Sequence, residues 1–425
     1  MKLAIRPTTT RLPGRGPIGW DLQRRIRFRS PRLSDDRLAD LLEKEGLVGL
    51  VGTTPKTLAY GAEASLLAQR ELERLCAVVL RPSEASIPVV LPYWELDQII
   101  ETANPRLEAF TYDRFYTYRS EDGRFGQGET VVGDAIANTK PLASPAAALA
   151  AALVSVRLDR GRVGIETRGI TFDVLSEISS ILPEVSLIPA DLLVKRLIAV
   201  KSPEEIQALR TAAIIAEHSL HTVAASIKVG DSERDLVERY RDEVVSRGAA
   251  TTFAIIKGGR ESSLVHMPAS TLPLEKGDVI RFDVGCRWSG YNADVGRSFL
   301  LDEEPAGRPA MIYSALRAGQ QAAFEKIAPG VEVRDVFRAA IDAVRREGLK
   351  PYDRGFVGHG IGLEIHGHPF LTEQGTDLLE EGMVLMVEIP YYEMGNGGYQ
   401  IEDAVLVTAD GIERLTHGSS TLVAE

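Results

Sequence analysis

Gly277-Asp-Val-Ile-Arg-Phe-Asp283, followed by Gly290-Tyr-Asn-Ala-Asp294, is matched farther along the chain by Gly382-Met-Val-Leu-Met-Val-Glu388 and Gly398-Tyr-Gln-Ile-Glu402. Each member of these pairs opens on glycine and closes on an acid, and the intervening segments carry turn residues, the pattern of a β-hairpin. The likeness begins further upstream. Gly230, Arg234, Asp235, Asp242, Val244 and Gly248 recur one hundred residues later as Gly330, Arg334, Asp335, Asp342, Val344 and Gly348, in two stretches that read as helices closed by glycine. Acids and tyrosines at matched positions of matched strands predict an internal duplication with pseudo-two-fold symmetry.

The hairpins bring the acids together. In the first, 279–284 and 291–300 read as strands and 286–290 as the turn; a turn centred between Trp288 and Ser289 sets Asp283 directly opposite Asp294, with Cβ atoms about 4.5–5.5 Å apart. In the second, a turn centred on Gly395 sets Glu388 opposite Glu402. Like charges facing each other across a ladder are destabilising, and burying them unpaired is costly, so four such acids call for a divalent cation among them. A nitrogen donor is available in Gly358-His359-Gly360, where glycines on both sides of the histidine let a loop backbone approach closely. One histidine with four carboxylates makes a hard to borderline donor set, suited to manganese, cobalt, zinc or iron(II). His218, His221 and His417 lack such a setting and read as structural.

The remaining chain supplies the frame. Between 31 and 188 helix and strand alternate: a helix over Asp35–Glu45 stops at Gly46, short apolar runs follow at 47–51, 76–80 and 87–91, and Ser144-Pro145 opens an Ala-rich helix to 158 with Gly161 as its stop. Ser202-Pro203-Glu204-Glu205 is a capping box that starts a second domain. The expected organisation is an N-terminal extension (1–30), an α/β domain (31–195) and an α+β domain (200–425).

A net charge of −11 and a pI near 5.4 would repel phosphate backbones, which argues against a nucleic-acid partner. The basic stretch at 24–29 reads as a solvated segment without assigned function. Cys76 and Cys286 are too few and too far apart for a disulfide framework or a thiolate metal site, which fits a reducing, cytoplasmic setting. Neither a secretory leader nor a membrane span is expected.

These residues resemble the pita-bread metallopeptidases, the group of prolidase, Xaa-Pro aminopeptidase and methionine aminopeptidase, with creatinase as a metal-free relative. The likeness rests on Asp283 in Arg-Phe-Asp-Val-Gly, Asp294 in Tyr-Asn-Ala-Asp-Val-Gly-Arg, His359 in Gly-His-Gly, Glu388 in Met-Val-Glu and Glu402 in Ile-Glu-Asp. It implies a creatinase-type N-terminal domain over 31–195 and a catalytic pita-bread domain over 200–425. It also implies two divalent ions, manganese foremost, bridged by Asp294 and Glu402, with Asp283 completing one site and His359 and Glu388 the other. Catalytic roles fall to Glu388 as proton acceptor and to His266 and His366 near the substrate. The implied activity is hydrolysis of a peptide C–N bond by a metal-activated hydroxide, as a Xaa-Pro dipeptidase or aminopeptidase, in a homodimer acting on short peptides. Two departures, Ile389-Pro390 in place of Pro-Gly and Gln400 in place of Arg, keep open the alternative of a creatinase-like or ectoine-hydrolase-like enzyme acting on a small amide or amidine. Gly355, where aminopeptidase relatives carry histidine, tilts the comparison toward prolidase.

Overall fold

A computed structural model describes residues 34–418 and 422, apart from 103. The expected extension over 1–30, with its basic stretch at 24–29, lies outside the described residues. The chain divides into two compact units, ending at Ile198 and beginning at Ala199.

In the first unit, Ser34 caps the helix Asp35–Glu45 and Gly46, at φ 62°, ends it. Strands β1 (Gly49–Gly52), β2 (Ala77–Leu80), β3 (Ile87–Pro92), β4 (Leu107–Tyr112), β5 (Gly161–Ile165) and β6 (Val185–Pro189) form one sheet in the order β4-β3-β2-β1-β5-β6. β2 is antiparallel to both neighbours and the other pairings are parallel. Ser144 caps the helix Pro145–Ser155 as its sequence predicts, but the helix stops before the expected Gly161. The amides of Arg157 and Leu158 fold back onto the carbonyls of Val154 and Leu153, Leu158 turns into the core, and Gly161 opens β5 instead.

The second unit is built on one antiparallel sheet. Its strands are β7 (Ala250–Gly258), β8 (Val279–Trp288), β9 (Tyr291–Leu300), β10 (Gly358–Gly360), β11 (Gly367–Phe370), β12 (Val384–Glu388), β15 (Glu402–Thr408) and β16 (Gly411–Arg414), with β13 (Tyr391–Glu393) and β14 (Gly397–Tyr399) as a separate ribbon at the tip of the second hairpin. The spatial order is β11-β10-β12-β15-β9-β8-β7, and β16 also pairs with β15. Helices Pro203–Ala224 and Glu233–Ser246 pack apolar faces against the alternate residues Phe282, Val284, Val295 and Phe299 of the first hairpin. Helices Gly307–Lys326 and Val333–Arg346 do the same for Leu385, Val387, Val405 and Val407 of the second. Because side chains alternate along a strand, the other face of the sheet is left to Asp283, Asp294, Glu388 and Glu402.

The duplication is realised in detail. Ser202 and Glu205 form the predicted capping box. Gly230 and Gly330 adopt φ of 95° and 82°, and Gly248 and Gly348 φ of 78° and 102°, left-handed conformations that glycine adopts without steric cost. The Gly230 amide donates to the Leu274 carbonyl as the Gly330 amide donates to that of Leu379, so each half anchors its second helix to its own β-hairpin entry in the same way.

Candidate metal centre

The first hairpin corrects the register expected from sequence. Ser289 and Gly290, at φ 49° and 86°, form the turn, and Trp288 pairs with Tyr291. Both residues are left-handed, as the tight two-residue turn matching strand twist requires. The turn centre therefore sits one residue later than predicted and the pairing shifts by two. Asp283 faces Gly296 and Asp294 faces Gly285, so the two aspartates are diagonal neighbours on one face rather than directly opposed. The second hairpin keeps its predicted register, with Glu388 opposite Glu402.

Across the sheet these pairings line up one row: Glu388, Glu402, Gly296, Asp283 and Ile255. Gly296 is the gap in the row, since a Cβ there would come within 2.2 Å of Gln400 Cγ and 3.0 Å of Glu402 Cβ. His359 does not lie in a loop, as its glycines suggest, but in the short strand β10, where it pairs with Met386. Gly358 allows that pairing, because a Cβ would stand 2.2 Å from the Met386 carbonyl oxygen. Gly358→Ala is accordingly expected to cost at least about 2 kcal/mol and to displace β10. Chemical denaturation should register the first effect, and a weakened metal titration of the folded fraction the second.

Five adjacent strands, β10-β12-β15-β9-β8, thus carry His359, Glu388, Glu402, Asp294 and Asp283, one donor each. Donor atoms of Asp283, Asp294 and Glu402 lie within 4.8 Å of one another, as do those of His359, Glu388 and Glu402, and those of Asp294, His359 and His366. The Nδ1 of His359 is 2.9 Å from the Gly360 carbonyl, which can only accept, so Nδ1 carries the proton and Nε2 presents a lone pair. That Nε2 lies 4.0 Å from Asp294 and 3.8 Å from Glu402. Asp294 Oδ1 and His359 Nε2 are buried with no hydrogen-bond partner among the described residues. Orphaned acceptors of this kind, within a hard oxygen-rich set, fit a divalent cation.

The electrostatics agree. Burial, then the neighbouring acids, push the carboxyls of Asp294 and Glu402 well above the usual range. Burial lifts Glu388 to about 7, with Arg354 opposing, and raises Asp283 against the pull of Arg281. His359 is lowered to about 3 by burial and so is neutral. A cluster of acids that resists ionising together is a site that gains by binding positive charge.

The four acids open into a cavity of about 610 Å³ whose walls include Phe253, Ile255, His266, Phe356, His366 and Tyr392. The His366 ring lies 4.2 Å from that of His359, tilted by 46°. His266 is exposed on the 264–270 segment, which Arg281 ties down through the carbonyls of Ser262, Leu264 and Val265. The two departures from the expected motif fall out differently. Ile389 is fully buried in the hydrophobic core, on the face of its strand away from the acids. Gln400 donates to Glu402 at 3.1 Å and accepts from Tyr392, so it orients the carboxylate without supplying charge. The charge comes from Arg354, 3.7 Å from Glu388, and Arg281, 3.5 Å from Asp283. Neither arginine was singled out by sequence reasoning. Arg281 stands two residues before Asp283, and strand alternation could have put it on the same face; Asp353-Arg354-Gly355 carries no periodic signal.

The profile of metallopeptidase family M24 matches residues 207–409. A Mycobacterium tuberculosis protein named "Probable dipeptidase PepE" is 31% identical over 370 residues, spanning 86% of this chain and 89% of that one. The chain belongs to metallopeptidase family M24. As an M24 protein it is a peptide-hydrolysing enzyme that binds divalent metal. The solved dipeptidase PepE of Mycobacterium ulcerans is 25% identical with a TM-score of 0.72, covering 96% of this M24 chain and 99% of its own. A solved Xaa-Pro dipeptidase from Bacillus anthracis, 24% identical with a TM-score of 0.74, covers 92% and 98% and shares the fold. Among the described residues no helix is long and apolar enough to cross a membrane.

Proposed function

We propose that this enzyme is a two-metal Xaa-Pro dipeptidase whose ions are held by Asp283, Asp294, His359, Glu388 and Glu402. The observation that carries this reading is the pair of three-donor groups sharing Glu402, which together take in all five residues. When bound, the ions supply Lewis-acid polarisation of the scissile carbonyl and a water of lowered pKa. Glu388, on the cavity wall, is placed to accept the water's proton and return it to the leaving nitrogen. His366, beside His359 on the cavity wall, is placed to donate to the developing oxyanion, and His266 lines the same cavity. Phe253, Ile255 and Phe356 offer an apolar wall suited to a proline ring. Manganese is the preferred ion on the hardness of the donors. Free, buried Cys76 and Cys286 support a cytoplasmic setting; a homodimer is the family expectation.

Arg354 favours a dipeptide over a longer chain. Its guanidinium faces the cavity beside Glu388, where it can take the free carboxylate of a short substrate. Arg354→Leu should raise KM for an Xaa-Pro dipeptide by roughly ten- to a hundredfold, the loss of one charged hydrogen-bonding pair, and leave KM for the C-terminally amidated substrate nearly unchanged. The reading as a whole is tested by turnover of Xaa-Pro dipeptides, tripeptides and small amides by the manganese-loaded enzyme. Dipeptide hydrolysis is the expected result. Inactivity on every peptide with turnover of a small amide or amidine would transfer the enzyme to the creatinase-like or ectoine-hydrolase-like alternative, for which the core position of Ile389 removes one motive.

A further inference from the structure

The two hairpins that carry the acids meet at a single backbone pair, Glu402 with Gly296. Behind that pair, on the face of the sheet away from the acids, lies Arg297, whose side chain is wholly buried. Its Nη1 donates to the carbonyls of both Gly296, at 2.8 Å, and Glu402, at 2.6 Å. Its Nη2 donates to Asp403 at 2.6 Å and to Glu217 at 3.0 Å. One guanidinium therefore ties both main chains at the position where the two acid-bearing hairpins pair.

The arginine is itself held from the far end of the chain. Asp403 also accepts from Thr416 Oγ1 and pairs with Arg414 at 3.2 Å, while Glu217 accepts the amides of His417 and Gly418, each at 2.8 Å. The Leu415 amide and Thr416 Oγ1 complete the contact by pairing with the main chain of Ala404. Residues 414–418 thus form a strap along β15, closing over the carboxylates that orient Arg297. The arrangement breaks the internal symmetry: the positions equivalent to Asp403 and Arg297 in the other half are Val295 and Val405.

We infer that Arg297, braced by Glu217, Asp403 and the 414–418 strap, is a positioning residue that holds Glu402 in register with Asp283 and Asp294 and so sets metal affinity. The inference rests on the metal-site reading above. A planar fork can reach two carbonyls and two carboxylates at once, whereas an ammonium cannot. Loss of such supporting contacts behind a ligand typically lowers metal affinity by about 10- to 100-fold.

The test is calorimetric titration of the metal-free full-length protein with manganous ion. Arg297→Lys keeps the charge opposite Asp403 and loses the fork, and should weaken binding at least tenfold. Thr416→Val keeps shape but removes the bonds to Asp403 and to the Ala404 amide, and should weaken binding by the folded protein severalfold. Glu217→Gln keeps an acceptor for the strap and should lie between them. If Arg297→Lys fails to fold, the other two variants decide. Folded variants that all bind manganese as tightly as the unaltered protein would overturn the inference while leaving the metal site intact. An unaltered protein that binds no divalent ion would overturn both readings together.

Discussion

Replacing Asp294 and Glu402 together by alanine is expected to abolish turnover, by at least ~10⁴-fold, because the substitution removes the acid shared by both donor groups and one oriented on His359. Elemental analysis after manganese loading should show the loss of metal alongside the loss of rate, and retained activity would contradict the site. The isosteric pair Asp294→Asn and Glu402→Gln separates function from stability. Both carboxyls have folded-state pKa values raised by burial and by the charges of neighbouring acids. A carboxyl so raised contributes stability that is fully present below its unfolded pKa and is lost as pH rises through the folded value. At pH 8 the metal-free native protein carries that penalty, and the amide variant does not. The variant should therefore melt higher than the unaltered protein in chelator at pH 8, by roughly 5 °C, with the gap closing toward pH 4. A lower melting point at pH 8 would mean that the acids are not in conflict.

Metal affinity is expected to fall steeply with acidification through neutrality. Burial pushes Glu388 up to about 7 in the metal-free site, and Asp294 and Glu402 are also raised, so metal binding displaces protons. Glu388 alone makes the apparent affinity about tenfold weaker at pH 6 than at pH 8, and the raised carboxyls of Asp294 and Glu402 add to that loss. Glu388→Gln should bind more weakly at pH 8 and with a shallower pH dependence over that range. Titrations at three pH values, with proton release followed in a weakly buffered solution, measure both. A pH-independent affinity would show that the five residues do not take up the ion as carboxylates.

Reading the chain without its fold already singled out the five residues whose donor atoms the fold brings together, because period-two alternation, the repeated Gly-to-acid spacing and the glycines flanking His359 need only local information. The second hairpin's register followed from counting about Gly395. The first did not, since Ser289 had to be recognised as left-handed beside Gly290. His359 was expected in a loop because flanking glycines signal close approach without saying whether the neighbour is solvent or, as here, the Met386 backbone. The supporting cations were partly legible: Arg297 and Arg281 stand inside the strand motifs, but the partners of Arg297, at 217, 402 and 403, are distant in sequence.

What the sequence determined by itself was the chemistry: a duplicated hairpin pair, four acids and a histidine, and the sheet face they share. Those features depend on residue type and on the strand's two-residue repeat, which act over a few positions. The tertiary structure decided the order of the strands, the row from Glu388 to Asp283 with its gap at Gly296, and the entry of Arg354 into the cavity. These depend on pairings between segments about one hundred residues apart, joined at the Glu402–Gly296 bridge, for which no local pattern in the chain carries a signal.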